Sequence, residues 1–261
     1  RLVAFALVLL LTATAQSQEF STFTAAWWNV ENLFDTYDDP ETNDDEFTPN
    51  GEYHWTRHKL DNKLRGIYKT LLMMDLPDVV GLSEVENSYV LRQLCEATPL
   101  AQAHYSYVHY DSPDRRGIDC ALLYRADRFT VTASQPVNVS NSAEGFFTRD
   151  ILVVEGITDR GDSVCVLLNH WPSKRGGAAA EQRRTAIASR LRMLMDSLHT
   201  VHTTCAVVAM GDMNSGDDEL PFSEGMGFGD DTVNVEGIRN LTSMLPKDWG
   251  SHKYQIGRAH V

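Results

Sequence analysis

The sequence has few cysteines, and none is paired at short range. Cys95, Cys120, Cys165 and Cys205 are well separated along the chain, whereas structural zinc sites draw their thiolates from closely spaced pairs. Three of the four lie in apolar runs that read as strands, so they are expected to be buried small hydrophobes, with disulfides allowed but not required. Positive charge is also scarce. Lys and Arg number 23 against 36 Asp and Glu, a net charge of −13. This excludes a protein that coats a polyanion by charge alone. It does not exclude one that cuts a phosphate chain, because such an enzyme must release its product and bound cations can neutralise phosphate locally. No low-complexity tract and no internal repeat is present, which removes disordered tails and solenoids from consideration. No apolar run approaches the roughly 20 residues of a membrane span, so no stable membrane insertion is expected.

What is present begins at the N-terminus. Arg1 precedes an apolar run from Leu2 to Leu11, then the small and polar residues Thr12-Ala13-Thr14-Ala15-Gln16. A charged start, a short apolar segment and an Ala-x-Ala site are the pattern of a signal peptide over residues 1–15. There is no initiator Met and no Cys after the run, so the expectation is an incomplete start, export to the periplasm or medium, and no lipid anchor. The 261 residues, 43% hydrophobic and 23% charged, suit one large α/β domain or two small ones.

Along the chain, apolar runs alternate with amphipathic ones. Strands are expected at Phe23 to Val30, Asp78 to Leu82, Tyr105 to Tyr110, Ile118 to Tyr124, Phe129 to Val137, Thr148 to Thr158, Ser163 to Asn169 and Thr203 to Met210. Helices are expected at Trp55 to Met74, where Leu60, Leu64, Ile67 and Leu71 keep helical spacing, at Ser88 to Ala97, and at Gly177 to Leu198. Tyr37 to Gly51 is acidic and turn-rich and reads as a long loop. Mixed α/β layers follow, and two sheets packed face to face with helices outside would accommodate the hairpins.

Several apolar runs end in residues suited to metal or phosphate chemistry: Asn29, then Glu31 and Asn32; Ser83-Glu84; Asn169-His170; and Gly211-Asp212-Met213-Asn214. Alone, each fragment also fits a helix cap, a turn or a core histidine. Four such ends in one chain point to a shared edge, where α/β folds place their sites. The residue types agree with one reaction. Magnesium takes hard oxygen ligands and few protein carboxylates, and Glu84 offers one. Asp212 and Asn214, two apart in an extended segment, point to one side. A histidine such as His170 can donate to phosphate or move a proton near neutral pH.

Five segments occur in order: Trp28-Asn29-Val30-Glu31-Asn32-Leu33-Phe34, Gly81-Leu82-Ser83-Glu84-Val85-Glu86-Asn87, Arg115-Arg116-Gly117-Ile118-Asp119, Asn169-His170-Trp171-Pro172-Ser173 and Gly211-Asp212-Met213-Asn214. Together they resemble the endonuclease/exonuclease/phosphatase superfamily, over about Phe23 to Tyr254. The resemblance implies a four-layer α/β sandwich, two central mixed sheets flanked by helices, in a catalytic domain over residues 20–255. It implies Mg²⁺ or Mn²⁺ at Glu84 supported by Asn29, a water oriented by Asp212, a phosphate held by Asn214 and Asn29, and charge stabilised by His170. Arg116 is expected to meet phosphate or a carboxylate, and Asp119 to support the site from behind.

The expected activity is metal-dependent phosphoester hydrolysis, foremost as a nuclease-type phosphodiesterase on nucleic acid. The alternatives are a phosphatase or sphingomyelinase-like enzyme on a small or lipid substrate, and a non-catalytic binding protein. No protein partner is expected, and the chain is expected to be a monomer. Relatives usually finish with a strand bearing Asp-His, and no such pair follows Asn214. Neither His252 nor His260 fits that motif. Residues 256–261 match a reading frame of a common sequencing adapter, so the expectation is a non-native tail and a sandwich lacking its last strand or strands.

Overall fold

The computed structural model describes residues 22–229, 234–235 and 237–244. The expectations for the signal peptide, the tail, the last strand, His252 and His260 lie outside these residues.

Two four-stranded sheets form the centre. The first has the order β1 (Ala25–Leu33), β2 (Val79–Val85), β4 (Asp119–Arg125), β3 (Tyr105–His109). The second has the order β5 (Phe129–Val137), β6 (Ile151–Thr158), β7 (Ser163–His170), β8 (Ala206–Asp212). Only β1 with β2 and β7 with β8 run parallel within these sheets. The reason is connection length. A parallel neighbour needs a crossover. Helix α1 (Arg57–Met73) supplies one between β1 and β2, and α3 (Gly177–Val201) supplies the other. Of the antiparallel neighbours, β6 and β7 are joined by a short turn, β3 to β4 and β5 to β6 by longer loops, and β2 and β4 are not consecutive.

Alternation along the strands makes three apolar interfaces and therefore four layers. Leu60, Leu64, Ile67 and Leu71 of α1, with Val90, Leu91 and Leu94 of α2 (Ser88–Glu96), cover one face of the first sheet at Val80, Leu82, Ala121 and Leu123. The opposite faces meet through Val79, Leu122, Leu152, Val154, Val166 and Leu168. Ile187, Leu191 and Met195 of α3 cover the outer face of the second sheet at Val153, Cys165 and Leu167. The expected sandwich is the observed one. Asn87 starts α2 by accepting from the backbone N–H groups of Tyr89 and Val90 at 2.9 and 3.1 Å, which satisfies two otherwise orphaned donors. All four cysteines are free thiols.

The boundaries differ from expectation in two informative places. The first strand runs on to Leu33 through an irregularity after Asn29. Asp78 precedes β2 and serves as a polar clasp. Its carboxylate accepts from the Thr24 N–H at 2.7 Å, the Thr24 hydroxyl at 3.0 Å and Arg128 Nε at 2.8 Å. Burial pushes the Asp78 carboxyl up, but the hydrogen bonds from Arg128 and Thr24 outweigh it and hold the group below its ordinary value. Asp78→Ala removes these bonds while Arg128 keeps Asp159 and the Thr22 carbonyl, so urea unfolding at pH 7 should show a loss of about 2 kcal/mol. Because the folded pKa is depressed, the stabilisation is present above the ordinary value of 3.8 and lost as pH falls through the folded pKa. The two proteins should converge in acid.

The segment from Tyr37 to Gly51 is a loop containing one turn of 3₁₀ helix, Asp45–Phe47. Phe47 stacks on Phe34 at 4.0 Å, and Trp55 Nε1 donates to the Phe34 carbonyl at 2.9 Å. Three carboxylates are buried here: Asp44 within the loop, and Asp35 and Glu86 outside it. Burial, reinforced by the charges of Asp35 and Asp44, pushes Glu86 up to about 8, although the Asp35 N–H opposes the shift.

Candidate active site

Each parallel pair delivers two strand ends to one edge, so the crossovers that make β1–β2 and β7–β8 parallel also gather the site. Asn29 is level with Ser83 in the first sheet, and Asn169 with Gly211 and His170 with Asp212 in the second. Across the sandwich, Asn29 Nδ2 donates to Glu84 Oε1 at 3.2 Å and to Asp212 Oδ2 at 3.3 Å. One amide thus joins a carboxylate from each sheet.

The backbone is bent to achieve this. Glu31, Asn32, Glu84 and Asn214 all have positive φ, at 56°, 64°, 62° and 46°. For residues with a Cβ, such conformations are costly and persist where the surroundings enforce them. At Glu84 the ladder to β4 shifts register between Ser83 and Val85. A bulge of this kind re-aims a side chain that regular alternation would send elsewhere. Glu84 Oε2 then accepts the Asn32 N–H at 2.9 Å. Asp212 Oδ1 accepts the Asn214 N–H at 3.0 Å, and Asn214 Nδ2 donates to the Trp171 carbonyl at 2.9 Å.

His170 completes the group. Its Nε2 stands 4.0 Å from Glu84 Oε1, and its buried Nδ1 has no hydrogen-bond partner. Burial, followed by the charges of Arg149 and Arg116, holds the imidazole well below its ordinary pKa, so it is neutral at neutral pH. Asn169, its neighbour, has a structural role. It donates to the Leu167 carbonyl at 3.2 Å and accepts from Trp171 Nε1 at 3.1 Å.

The other expected residues divide. Arg116 reaches the edge, where its Nη2 donates to Asn32 Oδ1 while its own N–H is held by Asp114 at 3.0 Å. Asp119 pairs in the ladder with Val85, next to Glu84, and its carboxylate has partners of its own. Its Oδ1 accepts from the Ser112 N–H at 3.1 Å and from the Ser112 hydroxyl, and its Oδ2 faces His109.

Two cations not singled out from the sequence belong to the site. Arg149 donates to the carbonyls of His170 at 3.2 Å and Trp171 at 2.9 Å, and pairs with Asp114 at 2.9 Å. It therefore anchors both the histidine and the segment that presents Arg116. Lys63, on α1, donates to the Glu31 carbonyl at 2.8 Å. Burial pulls its ammonium below the ordinary value, against the charges of Glu31 and Glu84. No local sequence pattern marks either residue, since their partners are far away in the chain.

The donor set fits a divalent cation. Two carboxylates face one another across a single amide, and together they offer hard oxygens with room left for water and phosphate, which is what magnesium takes. Asn29 Oδ1 accepts the Glu31 N–H at 2.9 Å. In this arrangement its amide therefore tethers the carboxylates, and a half-turn of the amide would be needed to offer the oxygen to a metal.

The family profile described as Endonuclease/Exonuclease/phosphatase family matches residues 24–258. The chain belongs to that family. Solved structures agree on the fold. The mannosyl-6-phosphatase of Bacteroides thetaiotaomicron superposes with a TM-score of 0.55 at 16% identity, over 80% of this chain and 71% of that one. ANGEL2, a 2',3'-cyclic phosphatase, gives 0.54 at 18% identity, over 77% and 55%. TDP2 of D. rerio, solved with a single-strand DNA product, gives 0.50 at 18% identity, over 78% and 64%. The chain thus spans less than two thirds of the ANGEL2 and TDP2 chains. Comparison with curated proteins returns no match. Membership places the chain in a family of phosphoester hydrolases.

Proposed function

We propose that this enzyme is a Mg²⁺- or Mn²⁺-dependent phosphodiesterase that cleaves nucleic acid by in-line attack of water. One observation carries the reading: the Asn29 amide ties Glu84 of one sheet to Asp212 of the other, with His170 and Asn214 beside them. Glu84 would hold the cation, whose positive charge would neutralise the phosphate oxygens. Asp212, fixed by the Asn214 N–H, orients the attacking water and accepts its proton. The Asn214 amide leaves the Trp171 carbonyl to hold a phosphate oxygen. Neutral His170 donates one N–H to the charge that grows on phosphorus oxygens, where it acts without first losing a proton. Arg116 gives the path for a polyanion one of its few positive groups on a chain of net charge −13. The apolar run and Ala-x-Ala site at the N-terminus support an exported enzyme that meets extracellular or periplasmic nucleic acid.

The test is hydrolysis of plasmid DNA, RNA, bis-(p-nitrophenyl) phosphate and p-nitrophenyl phosphate, each with Mg²⁺ and with EDTA. The expected result is cleavage of the diesters and of at least one nucleic acid with Mg²⁺, and none with EDTA. Turnover of the monoester alone would replace this reading with a phosphatase.

A further inference from the structure

A second cluster of donors lies at the β3–β4 end of the first sheet, where Asp119 pairs with Val85, the residue after Glu84. Strand β3 ends at His109, and β4, its antiparallel neighbour, begins at Asp119, with His109 paired to Ala121. Asp111 follows two residues after the histidine. One donor atom from each of His109, Asp111 and Asp119 can be chosen so that all lie within 4.8 Å of one another, and they are the one such group of three among the described residues.

The cluster is poorly satisfied as it stands. The His109 and Asp119 side chains are each only 3% exposed. His109 Nε2 is 3.5 Å from Asp119 Oδ2 and makes no hydrogen bond. Asp111 Oδ1 is 3.8 Å from the other ring nitrogen, Nδ1, so its exposed carboxylate has to swing round to join an ion held at Nε2. The other oxygen of Asp119 is already occupied by Ser112. A buried ring nitrogen and a buried carboxylate oxygen thus face each other at the limit of hydrogen-bonding distance, and groups so buried ordinarily have a closer partner. A cation between them would supply it. The Asp111 side chain is 88% exposed, which leaves an entry path and positions for water ligands.

We propose that His109, Asp111 and Asp119 form a second metal site, selective for a borderline divalent ion such as Zn²⁺ over Mg²⁺. The selectivity follows from the donors. Imidazole nitrogen suits zinc and its neighbours in the transition series, whereas magnesium demands oxygen. The ion would close the base of the connection from Tyr110 to Ile118, which carries Asp114 and Arg116. Its role is structural: it sets the position of a segment that reaches the active edge through Arg116 and Asn32.

The experiment is titration of the tag-free protein with ZnCl₂ in a Glu84→Ala background, which removes the carboxylate of the other site. Calorimetry should show one zinc per chain at micromolar affinity or better, undisturbed by millimolar Mg²⁺. Asp111→Asn changes an exposed residue and should fold normally, yet weaken zinc by at least about tenfold. His109→Ala should abolish binding, and zinc should raise the Tm of the Glu84→Ala protein but not that of the double variant. If the Glu84→Ala protein binds no zinc, or binds it equally with Asp111→Asn, the proposal is wrong and His109–Asp119 is an ion pair without metal.

Discussion

Glu84→Gln should lower kcat/KM for a phosphodiester by at least about 10³-fold, or about 4 kcal/mol of transition-state stabilisation. The substitution keeps the shape of the side chain and one acceptor for the Asn32 N–H, while removing the charge that a divalent cation requires. Unfolding stability should change by no more than about 1 kcal/mol, because Glu84 is partly exposed and its backbone strain at φ 62° is present in both proteins. Asp212→Asn should cost activity on a similar scale with metal affinity less affected. Paired measurements of metal binding and turnover would separate the two carboxylates. A Glu84→Gln enzyme retaining a tenth or more of its activity would remove the metal from Glu84.

Gly211→Ala should unfold or nearly unfold the second half of the site. A Cβ on Gly211 would lie 2.0 Å from the Asn169 carbonyl oxygen and 2.7 Å from its carbon. Those atoms are backbone in a paired strand, so neither can turn aside as a side chain would. Over-packing of a filled interior ordinarily costs about 1–3 kcal/mol, and the upper end applies here. We expect a loss of about 3 kcal/mol in urea unfolding, together with loss of hydrolysis, because β8 must separate from β7 and carry Asp212 away from His170. Gly66 serves as the control. It lies within α1 with nothing within 4 Å of its Cβ position, and Gly66→Ala should stabilise by about 0.5–1 kcal/mol. Equal stabilities for Gly211→Ala and the parent would contradict the β7–β8 register.

The elements are largely legible in the sequence because apolar spacing tracks them. The Leu60, Leu64, Ile67 and Leu71 stripe is the buried stripe of α1, and the apolar runs ending at Asn29, Glu84, His170 and Asp212 are the strands whose ends meet. That they meet is legible only as an inference from four polar strand ends and from family resemblance. Spacing does not encode which strands pair. What escapes a reading of the sequence is anything set by register or by distance. The bulge at Glu84 and the positive φ at Glu31, Asn32 and Asn214 carry no glycine to announce them. Arg149 and Lys63 act through backbone carbonyls far away in the chain. The resemblance puts Asp119 behind the active site; in the fold it pairs with Val85 beside Glu84, and its carboxylate meets Ser112 and His109, contacts that spacing does not show. Asn169 reads as part of the chemistry and in the fold braces Trp171.

Crystals grown with MnCl₂ and measured at the manganese absorption edge test the central claim most directly. The strongest anomalous peak should lie bonded to a Glu84 carboxylate oxygen, on the edge shared with Asp212, Asn29 and His170, and should vanish in Glu84→Gln. Metal-dependent turnover by the same protein with no manganese density at Glu84 would contradict the assignment of this edge as the catalytic site.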